Sequence, residues 1–243
     1  MTRPAASRVA LLIPAYNEEA ALPLVLRAIP DGIVDEVVVV DNGSTDGTAR
    51  VAREHGARVV PEPRRGYGAA CLAGLSHLMR DPPDIVVFMD ADFSDRPEEM
   101  PRLLAALRES ECDLVIGSRT LGKAEPGALL PQARFGNRLA TLLLRVLFGA
   151  RYTDLGPFRA ARFDRLVALG MTDRDYGWTV EMQARAALEG WKTAEVSVSY
   201  RRRVGTSKIT GTFRGSWRAG TKILTTLLRL RLMGNGSGPR RNP

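Results

Sequence analysis

Ile85-Val-Val-Phe-Met-Asp-Ala-Asp92 is the stretch on which the reading of this chain turns. Its five leading apolar residues are too few for a helix and suit a strand covered on both faces, as in a parallel sheet. The run stops on two carboxylates at i and i+2, which a strand end brings together. Asp95 and Glu98 add negative charge close by. Anions crowded in this way need a cation. Hard oxygen donors suit Mg²⁺ or Mn²⁺, which bind through one or two carboxylates plus substrate phosphates. The plainer alternative is a solvated acidic turn.

Working outward, the same texture recurs. Residues 8–13 and 58–60, together with Val37-Val-Val-Val40 and Leu114-Val-Ile116, read as further short strands. Between them, residues 17–29, 45–55, 66–79 and 97–109 read as helices, the last opened by Pro97 in its first turn. Strand and helix alternate at intervals of roughly 20–30 residues, which predicts an α/β fold, a mostly parallel sheet flanked by helices. Ligands then bind at the strand C-termini. Pro14-Ala-Tyr-Asn-Glu18 and Asp41-Asn-Gly-Ser-Thr-Asp46 fall on that rim. Tyr16 can pack on a ring and Asp41 can accept from a ribose or base edge; equally, the second stretch is a turn with Asp46 as a helix cap. Arg65-Gly-Tyr-Gly68 precedes a helix, where glycines let backbone approach a phosphate. It lacks the third glycine of a dinucleotide fingerprint.

After Gly117 the pattern changes. Residues 119–133 read as a mobile loop, 135–148 as an amphipathic helix and 155–161 as a strand. Residues 176–188 read as a helix, 193–199 as a strand, 206–215 as a basic loop, 217–233 as a helix and 234–243 as a disordered tail. Residues 1–233 form one domain, divided into halves at residue 118.

The 243 residues carry a net charge of +8, unevenly placed. From residue 196 onward there are eleven Lys and Arg and no carboxylate, so the first 195 residues carry a net charge of −3. A basic segment of this kind meets a polyanion: nucleic acid, membrane surface or phosphate. Nucleic acid would account for the basic segment and not for the acidic rim, so it is set aside. With 44% hydrophobic residues the chain can bury a core, which excludes disorder. Two cysteines cannot build a disulfide framework, and two histidines exclude a histidine-rich metal site. No stretch approaches the ~20 apolar residues of a membrane span and none reads as a signal peptide. The expected location is cytoplasmic, peripheral on the inner face of a membrane.

Taken in order, these loops resemble family 2 glycosyltransferases with the GT-A fold, in the branch of polyprenyl- and dolichol-phosphate sugar synthases. The matching pieces are Pro14–Glu19, Val39–Thr48, Gly66–Ala70, Met89–Asp92, Gly117-Ser-Arg119, Thr153–Arg159 and Arg203-Val-Gly-Thr-Ser-Lys208. The resemblance implies that Pro14, Tyr16, Glu18, Asp41, Gly66, Asp90 and Ala91 surround the nucleotide. It implies that Asp90 and Asp92 lie at the metal, and that Arg119, Arg134, Arg203, Ser207 and Lys208 hold an acceptor phosphate, with Asp154, Arg159 and Glu181 on the same side. Asp90, Asp92, Arg119, Arg203 and Lys208 would carry catalysis. One position departs from the pattern: dolichol-phosphate mannose synthases have Gln two residues after the second Asp, and here Ser94 stands there. Asp95 or water would complete the metal's shell.

The implied reaction is an inverting transfer of a hexose from UDP-glucose or GDP-mannose to a polyprenyl phosphate. A hydroxyl acceptor needs a general base; a phosphate is already anionic. Relatives that use hydroxyls often carry a Glu-Asp pair on a helix of the second half, where this chain has Thr179-Val-Glu-Met182. Glu181 is the only candidate base there, or else an ion-pair partner. The helices at 135–148 and 217–233 either lie in a membrane interface or pack on the core. A soluble acceptor, and a non-catalytic protein that binds sugar nucleotide or membrane, are the alternatives. Oligomeric state is left open.

Overall fold

The computed structural model describes residues 7–205 and 213–234. In chain order the elements are β1 (Val9–Ala15), α1 (Leu22–Arg27), β2 (Glu36–Asp41), α2 (Thr48–Glu54), β3 (Arg58–Pro61), α3 (Tyr67–Leu78), β4 (Ile85–Phe88), α4 (Met100–Glu109) and β5 (Leu114–Ser118). Then follow α5 (Pro131–Phe148), β6 (Arg159–Arg162), α6 (Phe163–Ala168), α7 (Trp178–Leu188), β7 (Thr193–Ser197) and α8 (Phe213–Gly234). Seven strands make one sheet in the order β3-β2-β1-β4-β6-β5-β7. All neighbours are parallel except β6, which runs against both β4 and β5.

The apolar runs read from the sequence are the centre of this sheet, buried on both faces because alternate side chains point to opposite sides. Leu12, Val38, Val40, Val86 and Phe88 face a cluster with α3, α7 and α8, where the Phe88 and Trp178 rings lie 6.2 Å apart. Leu11, Ile13, Val39, Val87 and Met89 face Leu22, Val25 and the Met100–Leu107 face of α4. β1 lies between β2 and β4, so the sheet grows in opposite directions from β1 and β4. The crevice at their C-terminal ends is the topological switch point where such sheets bind ligands.

Several boundaries differ from the sequence reading. The first helix begins at Leu22 rather than residue 17: Asn17 adopts a positive φ of 52° and its side chain is bound to the loop after β2, with Pro23 in the first turn. The expected mobile loop 119–133 is pinned. Ala124 bridges Tyr200, Glu125 N–H donates to the Tyr200 carbonyl at 2.8 Å, and Arg202 Nε donates to the Pro126 carbonyl at 2.7 Å. Gly122 is required there, since a Cβ would overlap the Val198 backbone. The strand expected at 155–161 is β6, shorter and shifted, because residues 155 and 156 hold the Arg159 side chain. Helix α6 was not foreseen, and α8 begins at Phe213, four residues before the expected start. Among the described residues no helix is long and apolar enough to cross a membrane. The tail beyond residue 234 lies outside the described residues.

Candidate active site

Three loops from the strand C-termini knit one side of the crevice. Asn17 N–H donates to Ser44 Oγ at 3.0 Å, and its side-chain oxygen accepts from Thr45 N–H at 2.8 Å. Glu18 N–H donates to Thr48 Oγ1, and Gly47 N–H to Glu19 Oε2. Asp41 accepts from Ser44 N–H, and Asp46 from Thr48 N–H, so the turn and cap readings of that stretch hold in part. Asn42, which the sequence offered only as a turn residue, reaches to the next loop. Its amide donates to the Glu62 and Arg64 carbonyls at 3.0 and 2.7 Å and accepts from Gly66 N–H at 2.9 Å. Arg65 then stacks on the Tyr16 ring, 3.1 Å from its centroid. Tyr16 therefore already carries a cation on one face, the kind of contact that cation and ring favour. Pro14 is half-buried in β1, in register with Val40, and Ala91 is buried in the core.

The glycines of the third loop serve a different purpose from the one expected. A Cβ at Gly66 would overlap the Arg174 carbonyl, and one at Gly68 the Asp173 carbonyl. Gly68 and Ala69 N–H groups donate to the carbonyls of Asp175 and Arg174. These glycines admit the chain's own 173–175 segment, which caps the start of α3 in place of a phosphate.

Behind β4 the carboxylates converge. Asp92 is buried, with Oδ1 accepting from Ser94 N–H at 2.9 Å and from the Ser94 hydroxyl. Asp95 is also buried, and its Oδ1 has no hydrogen-bond partner. Burial, with the neighbouring Asp92 charge, pushes Asp90 up to about 7 against the pull of Arg119 and Arg203. Burial and Asp90 push Asp95 up as well. Ser94 thus orients Asp92 and lies beside it rather than replacing a ligand, and the Tyr200 hydroxyl is hydrogen-bonded to it. Among the described residues no three His, Cys, Asp or Glu side chains form a closed metal cage. The donor set nonetheless fits a hard divalent ion: two or three carboxylates, one buried oxygen unsatisfied, and the rest of the shell left to phosphate oxygens.

Cations close the other side. Arg203 sits 3.2 Å from both Glu18 and Asp92, tying the first loop to the aspartates. The backbone of its segment lies on theirs: Arg201 and Val204 N–H groups donate to the Ser94 and Asp92 carbonyls. Arg201 stacks 3.6 Å over Phe93, a residue held at φ 62°. Arg119 forms a fork with Asp154 at 2.7 and 2.8 Å, and that pairing raises its affinity for the proton despite the opposing effect of burial.

The remaining candidates separate. Asp154 is buried and holds Arg119, so its carboxylate faces that arginine rather than an acceptor. Arg159 is buried and donates to the Leu155, Gly156 and Thr179 carbonyls, a core fastening in place of the acceptor contact expected of it. Glu181 accepts from Thr172 and Asp173 N–H and from Arg185, so it is an ion-pair partner and not a free base. Arg134 is exposed on the first turn of α5. Ser207 and Lys208 lie outside the described residues. Asn42, Arg65, Tyr67 (hydrogen-bonded to Asp90), Tyr200 and Arg201 were missed; only the quoted motifs around them hinted at a role.

A mostly parallel sheet flanked by helices, with carboxylates at its switch point, is an α/β arrangement of the GT-A kind. The signature of glycosyl transferase family 2 matches residues 10–168, and the chain belongs to that family. It is 35% identical to an undecaprenyl-phosphate mannosyltransferase of Micrococcus luteus, over 84% of this chain and 88% of that one. It is 33% identical to a polyprenol monophosphomannose synthase of Mycolicibacterium smegmatis, over 84% of this chain and 82% of that one. Glucosyl-3-phosphoglycerate synthase of Mycobacterium tuberculosis, solved with Mn²⁺, UDP-glucose and phosphoglyceric acid, superposes with a TM-score of 0.72. Its identity is 26%, over 97% of this chain and 82% of that one. The chain is a glycosyltransferase of the polyprenyl-phosphate sugar synthase branch.

Proposed function

We propose that this enzyme moves a hexose from UDP-glucose or GDP-mannose to a polyprenyl phosphate, with a divalent metal and at the surface of an anionic membrane. One observation carries the reading: half-buried Asp90 and buried Asp92 stand opposite Arg119 and Arg203, and the one carboxylate on α7 suited to act as a base is fully engaged. A hydroxyl acceptor would lack a base on α7; a phosphate acceptor needs none.

In this reading Asp90 and Asp92 hold Mg²⁺ or Mn²⁺, which supplies charge neutralisation for the departing diphosphate. The Tyr16–Arg65 stack, Glu18 and Asp41 line the donor's nucleoside end. Arg119, fixed by Asp154, and Arg203 orient the acceptor phosphate for in-line attack. An acceptor oxygen bonds to the anomeric carbon as the bond to the nucleoside diphosphate breaks, with inversion.

Membrane contact rests on two helices. α5 buries Ala140 and Leu144 but exposes Phe135, Leu139, Leu142 and Val146 along one stripe. α8, packed beside it, buries Leu227 and Leu230 and exposes Leu228 and Leu232. Arg134, Arg138 and Arg145 flank the first stripe. Each helix therefore packs on the core with one face and offers an apolar, basic-rimmed face outward.

The test is transfer of labelled glucose or mannose to polyprenyl phosphate in detergent, with Mn²⁺ or with chelator. Asp92→Ala is expected to lower kcat at least 10²–10³-fold, roughly the value of a lost electrostatic stabiliser. Its binding to phosphatidylglycerol vesicles should persist. Transfer to the lipid alcohol but not to the lipid phosphate would overturn the reading. The likeness to glucosyl-3-phosphoglycerate synthase favours a second reading, a soluble phosphorylated acid as acceptor, which the same assay with phosphoglyceric acid decides.

A further inference from the structure

Where α8 crosses α7, the two helices, the 172–174 segment and Arg64 enclose a hollow of about 330 Å³. Its walls share no residue with the Asp90–Arg203 cluster. Five cationic and two anionic side chains line it, a surplus of three positive charges. Both anions are engaged. Asp173 takes Lys222 at 3.0 Å, Thr226 Oγ1 at 3.3 Å and Asp175 N–H at 2.8 Å. Glu181 takes Arg185 at 2.8 Å and the Thr172 and Asp173 N–H groups. Arg64, Arg174 and Arg229 are left, and their guanidinium groups have no hydrogen-bond or ion-pair partner among the described residues.

Three guanidinium forks converging on one concave polar site match the oxygens of a phosphate better than those of any neutral ligand. We propose that this hollow is a second anion site that binds a phosphate group, separate from the donor and acceptor phosphates of the transfer reaction. Its position suits either a lipid headgroup or a free phosphate. Arg229 adjoins the exposed Leu228 on α8, while Arg174 lies on the segment whose carbonyls cap α3 behind the donor loop. An anion held here bridges the outward helix and the loop that carries Arg65.

The experiment compares wild type with Arg174→Ala/Arg229→Ala in two arms. One arm is calorimetric titration with inorganic phosphate. The other is co-sedimentation with phosphatidylcholine vesicles containing phosphatidylglycerol. Phosphate bound at the catalytic cluster is common to both proteins and cancels. The double variant should weaken binding about tenfold or more, the result of losing one to two charge-assisted contacts. Loss in the vesicle arm alone assigns the site to a headgroup, in the phosphate arm alone to a soluble ligand, and in both to any phosphate. Arg64→Ala should repeat the loss at smaller size. All three residues are exposed, so folding is preserved, and circular dichroism checks it. Arg145→Ala, an exposed arginine outside the hollow and on the rim of the outward α5 face, should leave the phosphate arm unchanged and cost vesicle binding less than the double variant. Unchanged binding by the double variant in both arms overturns the proposal, and so does an equal loss with Arg145→Ala.

Discussion

The two sides of the crevice are built differently. The side assigned to the donor is knitted by short hydrogen bonds between side chains and backbone: Asn17 with residues 44 and 45, Thr48 with residue 18, Asn42 with residues 62, 64 and 66. These contacts join loops a few dozen residues apart and involve mostly neutral groups. The side assigned to the acceptor is held by full charges: Arg119 on Asp154, Arg203 on Glu18 and Asp92, Arg201 over Phe93. Arg203 and Glu18 lie 185 residues apart in the chain, Arg119 and Asp154 only 35. Neutral contacts set a fixed shape. Charged ones can be exchanged, since a metal ion on Asp92 and a phosphate beside Arg203 would satisfy the same groups that now satisfy each other.

The hardest test of that contrast is Asp154→Ala. It strips the only carboxylate among the described residues that is hydrogen-bonded to Arg119 and leaves a nearly buried guanidinium without it. Removing one partner of such a pair costs about 3–5 kcal/mol. Urea denaturation should show a loss of that size, and Asp154→Asn, which keeps the shape and one acceptor, a smaller one. A loss below 1 kcal/mol would mean that water reaches Arg119 and that the acceptor side is not charge-assembled.

The sequence made the donor side far more legible than the acceptor side, and the reason is physical. A buried parallel strand writes itself as an unbroken β-branched run, so β1, β2, β4 and β5 and the rim at their ends could be placed within a residue or two. Gly66 was legible as a close approach but not by what: the partner, Arg174, lies more than a hundred residues away and no local pattern names it. Arg159 and Glu181 illustrate the same limit. A charged residue near a motif reads as a ligand until its burial and its carbonyl or N–H partners are known, and both turned out to be fastened inside the molecule. Loop 119–133 read as mobile because its contacts run to residues 198–202, beyond any local window.

On the donor side the corresponding break is Asn42→Ala. It removes one acceptor and two donors from the loop that carries Arg65. Leaving these part-buried partners unsatisfied costs up to about 1–3 kcal/mol. Because the loop would loosen without any charge being uncovered, the donor KM should rise several-fold while the acceptor KM stays level. If the acceptor KM moved as much, the two sides would not be separable units.

The smallest effect should come from an ion pair that is charged like the acceptor side but sits on the donor side in solvent. Arg50 contacts Glu19 at 2.9 Å and Glu54 at 2.7 Å, with 60% of its side chain exposed. If charge alone set the strength of these contacts, Arg50→Ala would rival Asp154→Ala. Solvent screening and side-chain entropy reduce exposed pairs to about 0–1 kcal/mol. The Glu19 carboxylate would still accept from Gly47 N–H, so the loop junction survives the substitution. The expected result is a change under about 1 kcal/mol that shrinks further in 1 M salt, with both KM values unaltered. A loss of 3 kcal/mol or more in the same urea experiment would show that charge matters irrespective of burial, and the distinction between the two sides would have to be redrawn on sequence separation alone.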